Sequence, residues 1–274
     1  MSLGERLDQQ LAEFRASHRV RRLLYRGAEW RYYCGGSGGE AVLFLTGALG
    51  AAEFAFQQIA LLEPHYRVIA PDYPPVGTLG ALADGLVAVL DAEDVERAHV
   101  VGGSFGGVVA QGFVRRAPSR VVSLVLSHTG APDAPRGRTA AVVGILSLLP
   151  TPLLRAALRR RLGRTLASAG PFWRRRFDEA VGALSKADIV SRIRLATELR
   201  GQVGAAAPDS AHWAGPVLII EAEDDPLVRP GAQAALRALY PRAEIHRFHG
   251  TGHAAAILRP DEFAAVLLRF LAAA

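Results

Sequence analysis

Cysteine is nearly missing from this 274-residue chain: Cys34 stands alone, which excludes an intramolecular disulfide and a thiolate-rich metal site. Lysine is equally scarce, Lys186 being the one lysine among 32 basic residues, so the positive charge is almost wholly guanidinium. No apolar run approaches the ~20 residues that cross a bilayer, and neither an internal repeat nor a nucleic-acid-binding motif is present. The first residues, "MSLGERLDQQLAEFRASH", lack the unbroken apolar core of a secretory leader. Their Leu3, Leu7, Leu11 and Phe14 instead share one helical face. These absences lead us to expect a cytoplasmic protein with no nucleic-acid partner and no stable membrane insertion. What is present is the makeup of a globular domain, 50% apolar and 21% charged, long enough to bury a large core or to carry an insertion.

The net charge of +6 is unevenly spread. Residues 131–212 hold 14 basic and 6 acidic side chains, an excess of +8, which leaves −2 for the remainder. A solvated basic helical face accounts for such a segment, and a helix lying on a membrane surface is the competing explanation.

Short runs rich in Val, Ile and Leu recur along the chain: "AVLFLTG", "YRVIAPD", "AHVVGG", "RVVSLVLSHT", "PVLIIEAED" and "AEIHRFHG". Their continuous apolar character predicts strands buried on both faces of a parallel sheet. Helical text separates them, with Leu79, Leu82, Leu86 and Leu90 on one face, and later Phe263, Val266, Leu267, Phe270 and Leu271 on another. Strand and helix alternate, so the expected class is α/β. From about Gly130 to Trp213 the alternation stops and only helical patterns remain, too long a stretch for a connecting loop. We read it as a helical insertion at residues 130–213 between two core segments, 1–129 and 214–274. Its stripe of Leu146, Leu148, Leu149, Leu153, Leu154 and Leu158 should cover something.

Two stretches match G-x-S-x-G. In "CGGSGGE", Gly35 to Gly39 join two strand-like runs, which reads as a loose hairpin turn with Ser37 structural. In "VVGGSFGGVV", Ser104 follows a buried strand and opens a helix. That sharp corner holds a hydroxyl clear of the sheet, beside helix-terminal N–H groups suited to a developing oxyanion. Gly102 and Gly106 let strand and helix approach closely there. A serine hydroxyl needs a base to take its proton and an acid to orient that base. Downstream strand ends offer Glu221, Glu223, Asp224 and Asp225 as acids, then His249 and His253 as bases, in the order Ser, acid, His.

Together "AVLFLTGALG", "YRVIAPDYP", "HVVGGSFGGVVAQGFVRRAPSRVVSLVLS", "VLIIEAEDDPLV" and "HGTGHAAAILRPDEF" resemble an α/β-hydrolase fold protein from its third strand to its last helix. The resemblance implies a mostly parallel central sheet flanked by helices, with a helical cap inserted after the sixth strand. "FRASHRVRRL" and "VIAPDYP" further resemble the maspardin-like branch of that superfamily. By resemblance the base is His253 rather than His249, the acid is Asp225 with Asp224 as its competitor, and the oxyanion donors are the backbone N–H groups of Phe105 and Ala48. Relatives carry His-Gly where this chain has Thr46-Gly47, which removes a residue that often braces the loop.

The resemblance implies a serine hydrolase without cofactor or metal, acting on small-molecule carboxylic esters of small or medium acyl groups through an acyl-enzyme. The same residues also serve C–C bond hydrolysis, lactone opening or perhydrolysis. In a different class, a maspardin-like binding protein can use the frame without chemistry. Oligomeric state is not legible in the sequence.

Overall fold

The computed structural model describes residues 1–131, 139–166, 168–203 and 213–274. Parts of the expected insertion, 132–138, 167 and 204–212, therefore lie outside the described residues. Eight strands form one sheet in the order β1-β2-β4-β3-β5-β6-β7-β8: β1 (Arg21–Tyr25), β2 (Ala28–Gly35), β3 (Ala41–Leu45), β4 (Arg67–Pro71), β5 (Ala98–Gly103), β6 (Val121–Ser127), β7 (Val217–Ala222) and β8 (Glu244–Phe248). β1 and β2 are antiparallel, as are β2 and β4, and every later pairing is parallel. All five residues of β3 and all six of β7 are buried, as expected for strands with helices over both faces.

Helices cover the sheet with the apolar faces read from sequence. α1 (Leu3–Ser17) opens on a Ser2/Glu5 capping box and buries Leu7, Leu11 and Phe14, while Leu3 stays exposed. α2 (Phe56–Leu62), α3 (Leu79–Asp91) and α4 (Phe105–Arg116) follow β3, β4 and β5. Thr78 caps α3 by accepting from the Ala81 N–H, and Leu79, Leu82, Leu86 and Leu90 are all buried. After β7 come α9 (Pro230–Leu239), α10 (Ala255–Leu258) and α11 (Pro260–Leu271), the last burying Phe263, Val266, Leu267, Phe270 and Leu271.

Between β6 and β7 the chain makes α5 (Thr139–Leu148), α6 (Thr151–Leu162), α7 (Gly170–Ala183) and α8 (Lys186–Val203), with no strand among the described residues of that interval. α7 carries Phe172, Trp173, Phe177 and Val181 onto the core, where Trp173 stacks on Phe56 at a ring separation of 5.6 Å. α8 is tied to the segment before α3: Ser191 Oγ donates to the Val76 carbonyl at 2.6 Å, and Glu198 accepts from the Leu79 N–H at 2.7 Å. The leucine stripe is split. Leu154 is buried with Leu146, Leu149 and Leu158 beside it, whereas Leu148 and Leu153 are 83% and 56% exposed, because α5 and α6 turn those side chains away from the body.

One expectation is corrected here. The glycine-rich stretch around Ser37 joins β2 to β3, but these strands do not pair, since β4 lies between them. It is a crossing link and not a hairpin. Both adjacent runs read as strands, and local sequence does not reveal which strand each will pair with. Ser37 itself is exposed, its N–H reaching only the Glu63 carbonyl at 3.4 Å.

Candidate active site

The carboxyl ends of β3, β5, β6, β7 and β8 point the same way, so the loops that follow them meet at one edge of the sheet, where open α/β folds build their sites. Ser104 stands between β5 and α4 with φ 54° and ψ −116°, a left-handed conformation that side chains ordinarily avoid. Its N–H is pinned to the Ser127 carbonyl at 2.8 Å, which holds the corner against β6. The corner closes only because of its glycines. A Cβ on Gly106 would sit 2.0 Å from the Leu45 carbonyl oxygen, and one on Gly102 would sit 2.5 Å from the Gly106 oxygen.

Ser104 Oγ lies 2.8 Å from His253 Nε2, and His253 Nδ1 lies 2.8 Å from Asp225 Oδ2. The other Asp225 oxygen accepts from the N–H groups of Leu227 and Val228 at 2.8 and 3.1 Å. Burial by itself pushes the Asp225 carboxyl up. The hydrogen bond and charge of His253, with the two backbone donors, outweigh that and leave it below its ordinary value. It is therefore ionised at neutral pH with its geometry set from both sides.

The remaining acids take other places. Asp224 accepts from the Gly252 N–H at 3.0 Å and so braces the loop that carries His253. Glu221 is buried between Arg237 and Arg247, and Glu223 is exposed, 3.6 Å from the equally exposed His249. The structure thus brings together Ser104, His253 and Asp225 and leaves His249 outside the group.

The two expected oxyanion donors, the Phe105 and Ala48 N–H groups, have no hydrogen-bond acceptor among the described residues. Phe105 opens α4, so the helix dipole adds to its N–H. Tyr73 ties down the loop that holds Ala48: its hydroxyl donates to the Thr46 carbonyl at 2.8 Å and its N–H to the Gly50 carbonyl at 3.1 Å. Burial pushes the Tyr73 phenol far above its ordinary range, so it remains a neutral donor. Its one mark in the sequence is an aromatic directly after the "VIAPD" strand end.

A cavity of about 200 Å³ opens over Ser104 and His253. Leu49, Phe54 and Ile257 from the core and Leu162, Leu166 and Phe177 from the insertion make it largely apolar, so residues of the inserted helices do line the site. His128 also lines it, directly after β6, and was not singled out in the sequence because it belongs to no motif. Its ring meets that of His253 edge to face, with centroids 5.7 Å apart at 82°. Burial, and then the neighbouring His253, push the His128 imidazole down to about 4, so it is uncharged at neutral pH.

This has a consequence for stability. The His128 pKa in the folded protein lies below the unfolded value of about 6.5, so the unfolded chain binds a proton that the folded chain refuses. The stabilisation by neutral His128 is therefore present above about pH 6.5 and is lost as pH falls toward about 4. The urea midpoint of the wild type is expected to decline across that window, and that of His128→Asn to decline less. Parallel declines in the two proteins would exclude His128 as the source.

A hydroxyl, an imidazole and a carboxylate in hydrogen-bonded sequence, on the carboxyl edge of a mostly parallel sheet, place this protein in the triad-bearing α/β class. More specifically, the chain belongs to the α/β-hydrolase fold family, whose model matches residues 40–260. It is similar to a poly(3-hydroxyalkanoate) depolymerase of Ectopseudomonas oleovorans, at 28% identity over 84% of this chain and 83% of that protein. A maspardin of Danio rerio is 38% identical over 91 residues, covering 32% of this chain and 29% of maspardin, in line with the branch resemblance noted above. Among solved structures, a meta-cleavage product hydrolase of Pseudomonas fluorescens IP01 superposes with a TM-score of 0.71 at 25% identity, covering 92% of this chain and 97% of that one. No helix among the described residues is long and apolar enough to cross a membrane.

Proposed function

We propose that this protein is a serine hydrolase of carboxylic esters with small or medium acyl groups. The observation that carries the reading is the unbroken relay from Ser104 Oγ through His253 to the buried Asp225, each link at 2.8 Å, beneath an apolar cavity. Ser104 Oγ attacks the ester carbonyl while His253 Nε2 takes its proton, and Asp225 holds the imidazole in the required tautomer and stabilises its positive charge. The oxyanion is held by the N–H groups of Phe105 and Ala48 on the loop that Tyr73 braces. When the intermediate collapses, His253 gives its proton to the departing alkoxide, leaving Ser104 acylated. Water, deprotonated by the same imidazole, then releases the acid and restores the serine.

A second reading, cleavage of a C–C bond next to a carbonyl, is favoured by the likeness to the meta-cleavage product hydrolase. It uses the same nucleophile and base, with a carbanion as leaving group. Treatment with a fluorophosphonate, followed by mass spectrometry and a p-nitrophenyl ester series, tests the proposal. Labelling on Ser104 with turnover falling off at long acyl chains is the expected result. Labelling without ester turnover would move the assignment to C–C cleavage, and neither labelling nor turnover would leave a binding protein on a hydrolase frame.

A further inference from the structure

His128 combines features that the proposed chemistry leaves unused. It is 5% exposed, and it is a non-glycine residue with φ 47°, a conformation kept only where the surroundings over-determine it. Those surroundings are specific: its N–H donates to the Ile220 carbonyl at 2.7 Å, and its Nδ1 lies 2.8 Å from Ser127 Oγ. The other ring nitrogen, Nε2, is buried with no hydrogen-bond partner among the described residues, although the residue lines the cavity over Ser104. A buried polar atom without a partner is costly, and the cavity beside the ring is where a partner can enter.

The Ser127 hydroxyl can donate or accept, so the His128 ring can take either neutral tautomer. Nε2 then accepts from a substrate hydroxyl or donates to a substrate carbonyl. His128 does not position the base: His253 is already held through both ring nitrogens by Asp225 and Ser104, and its contact with His128 is a ring edge without a hydrogen bond.

We propose that His128 is the specificity-determining residue of this cavity, binding through Nε2 a hydroxyl or oxo group that the substrate carries within a few atoms of the scissile carbonyl. The preferred substrates are then hydroxy- or oxo-substituted acyl esters, with plain alkanoyl esters taken less well. This rests on the ester-hydrolase reading and narrows it to a substrate class.

The test compares kcat/KM for ethyl butyrate, ethyl 2-hydroxybutyrate, ethyl 3-hydroxybutyrate and ethyl acetoacetate by titration of the released acid. Wild type, His128→Phe, His128→Asn and Thr46→Val are assayed in parallel. Thr46 is included because it lines the same cavity and its Oγ1 is likewise buried without a partner among the described residues. The quantity read is the ratio of the best substituted ester to ethyl butyrate within one preparation, which does not depend on how much of a variant is folded. Comparing that ratio between proteins cancels the intrinsic reactivity of each ester.

We expect the wild-type ratio to exceed the ratio in His128→Phe by about tenfold or more, since a site built to bond a polar group discriminates against the analogue that lacks it. His128→Asn, whose side chain tolerates the left-handed backbone but reaches less far, is expected to lower the ratio as well. Thr46→Val should keep it. A ratio unchanged in both His128 variants, or one that collapses in Thr46→Val, overturns the assignment. Wild type hydrolysing all four esters with no preference sinks this inference and leaves the ester reading standing. Hydrolysis of none of them sinks both.

Discussion

Ser104→Ala is expected to lose about 10⁶-fold in kcat on any ester that the wild type cleaves, while Ser37→Ala keeps the wild-type rate. Both serines lie in G-x-S-x-G, so the pair isolates context from motif. Ser104 is held at φ 54° by its corner, with an imidazole nitrogen 2.8 Å from its hydroxyl. Ser37 is exposed on a link between strands that do not touch each other. Steady-state rates on a p-nitrophenyl ester, with circular dichroism to show that both variants fold, decide the matter. A Ser104→Ala protein within tenfold of wild type would remove Ser104 as nucleophile, because residual catalysis from binding and the oxyanion donors alone falls far short of that.

Gly106→Ala is expected to cost upward of about 3 kcal/mol in urea denaturation, or to prevent folding outright. The added methyl would fall 2.0 Å from the Leu45 carbonyl oxygen and 2.6 Å from that of Thr46, both backbone atoms of β3 and the loop that follows it. A flexible side chain could swing aside, but here α4 must move off the sheet and take Ser104 with it. Gly39→Ala is the matched control: among the described residues no atom beyond its chain neighbours lies within 4 Å of the site its Cβ would fill, so its effect should stay within about 0.5 kcal/mol. Equal stability of the two variants would mean that the corner is looser than its geometry indicates.

Much of the site was legible from sequence because strand-to-helix corners and strand ends leave local marks. The buried run "HVV", the glycines around Ser104 and the histidine after "HGTG" each advertise position along one segment. Choosing among Glu221, Glu223, Asp224 and Asp225 was harder, since all lie within five residues and differ only in direction. Once β7 is placed, Glu221 faces two arginines, Glu223 faces solvent, Asp224 reaches the Gly252 N–H, and Asp225 alone reaches His253. Tyr73 and His128 were passed over for a related reason. Each acts on residues far away in sequence, Thr46 and Gly50 for one and Ile220 and His253 for the other, and no local pattern records such a meeting.

The α/β alternation, the run of helices after β6, the serine on its corner and the order of the acid and the histidine that follow it can all be read locally, because periodicity and turn chemistry are properties of neighbouring residues. That β4 separates β2 from β3, that Leu148 and Leu153 face solvent, that Asp225 is the acid reaching His253, and that Tyr73 ties down the loop after β3 emerge only in the folded chain. Those outcomes depend on which surfaces meet across the sheet, and pairing between distant segments is set by the packing of the whole chain.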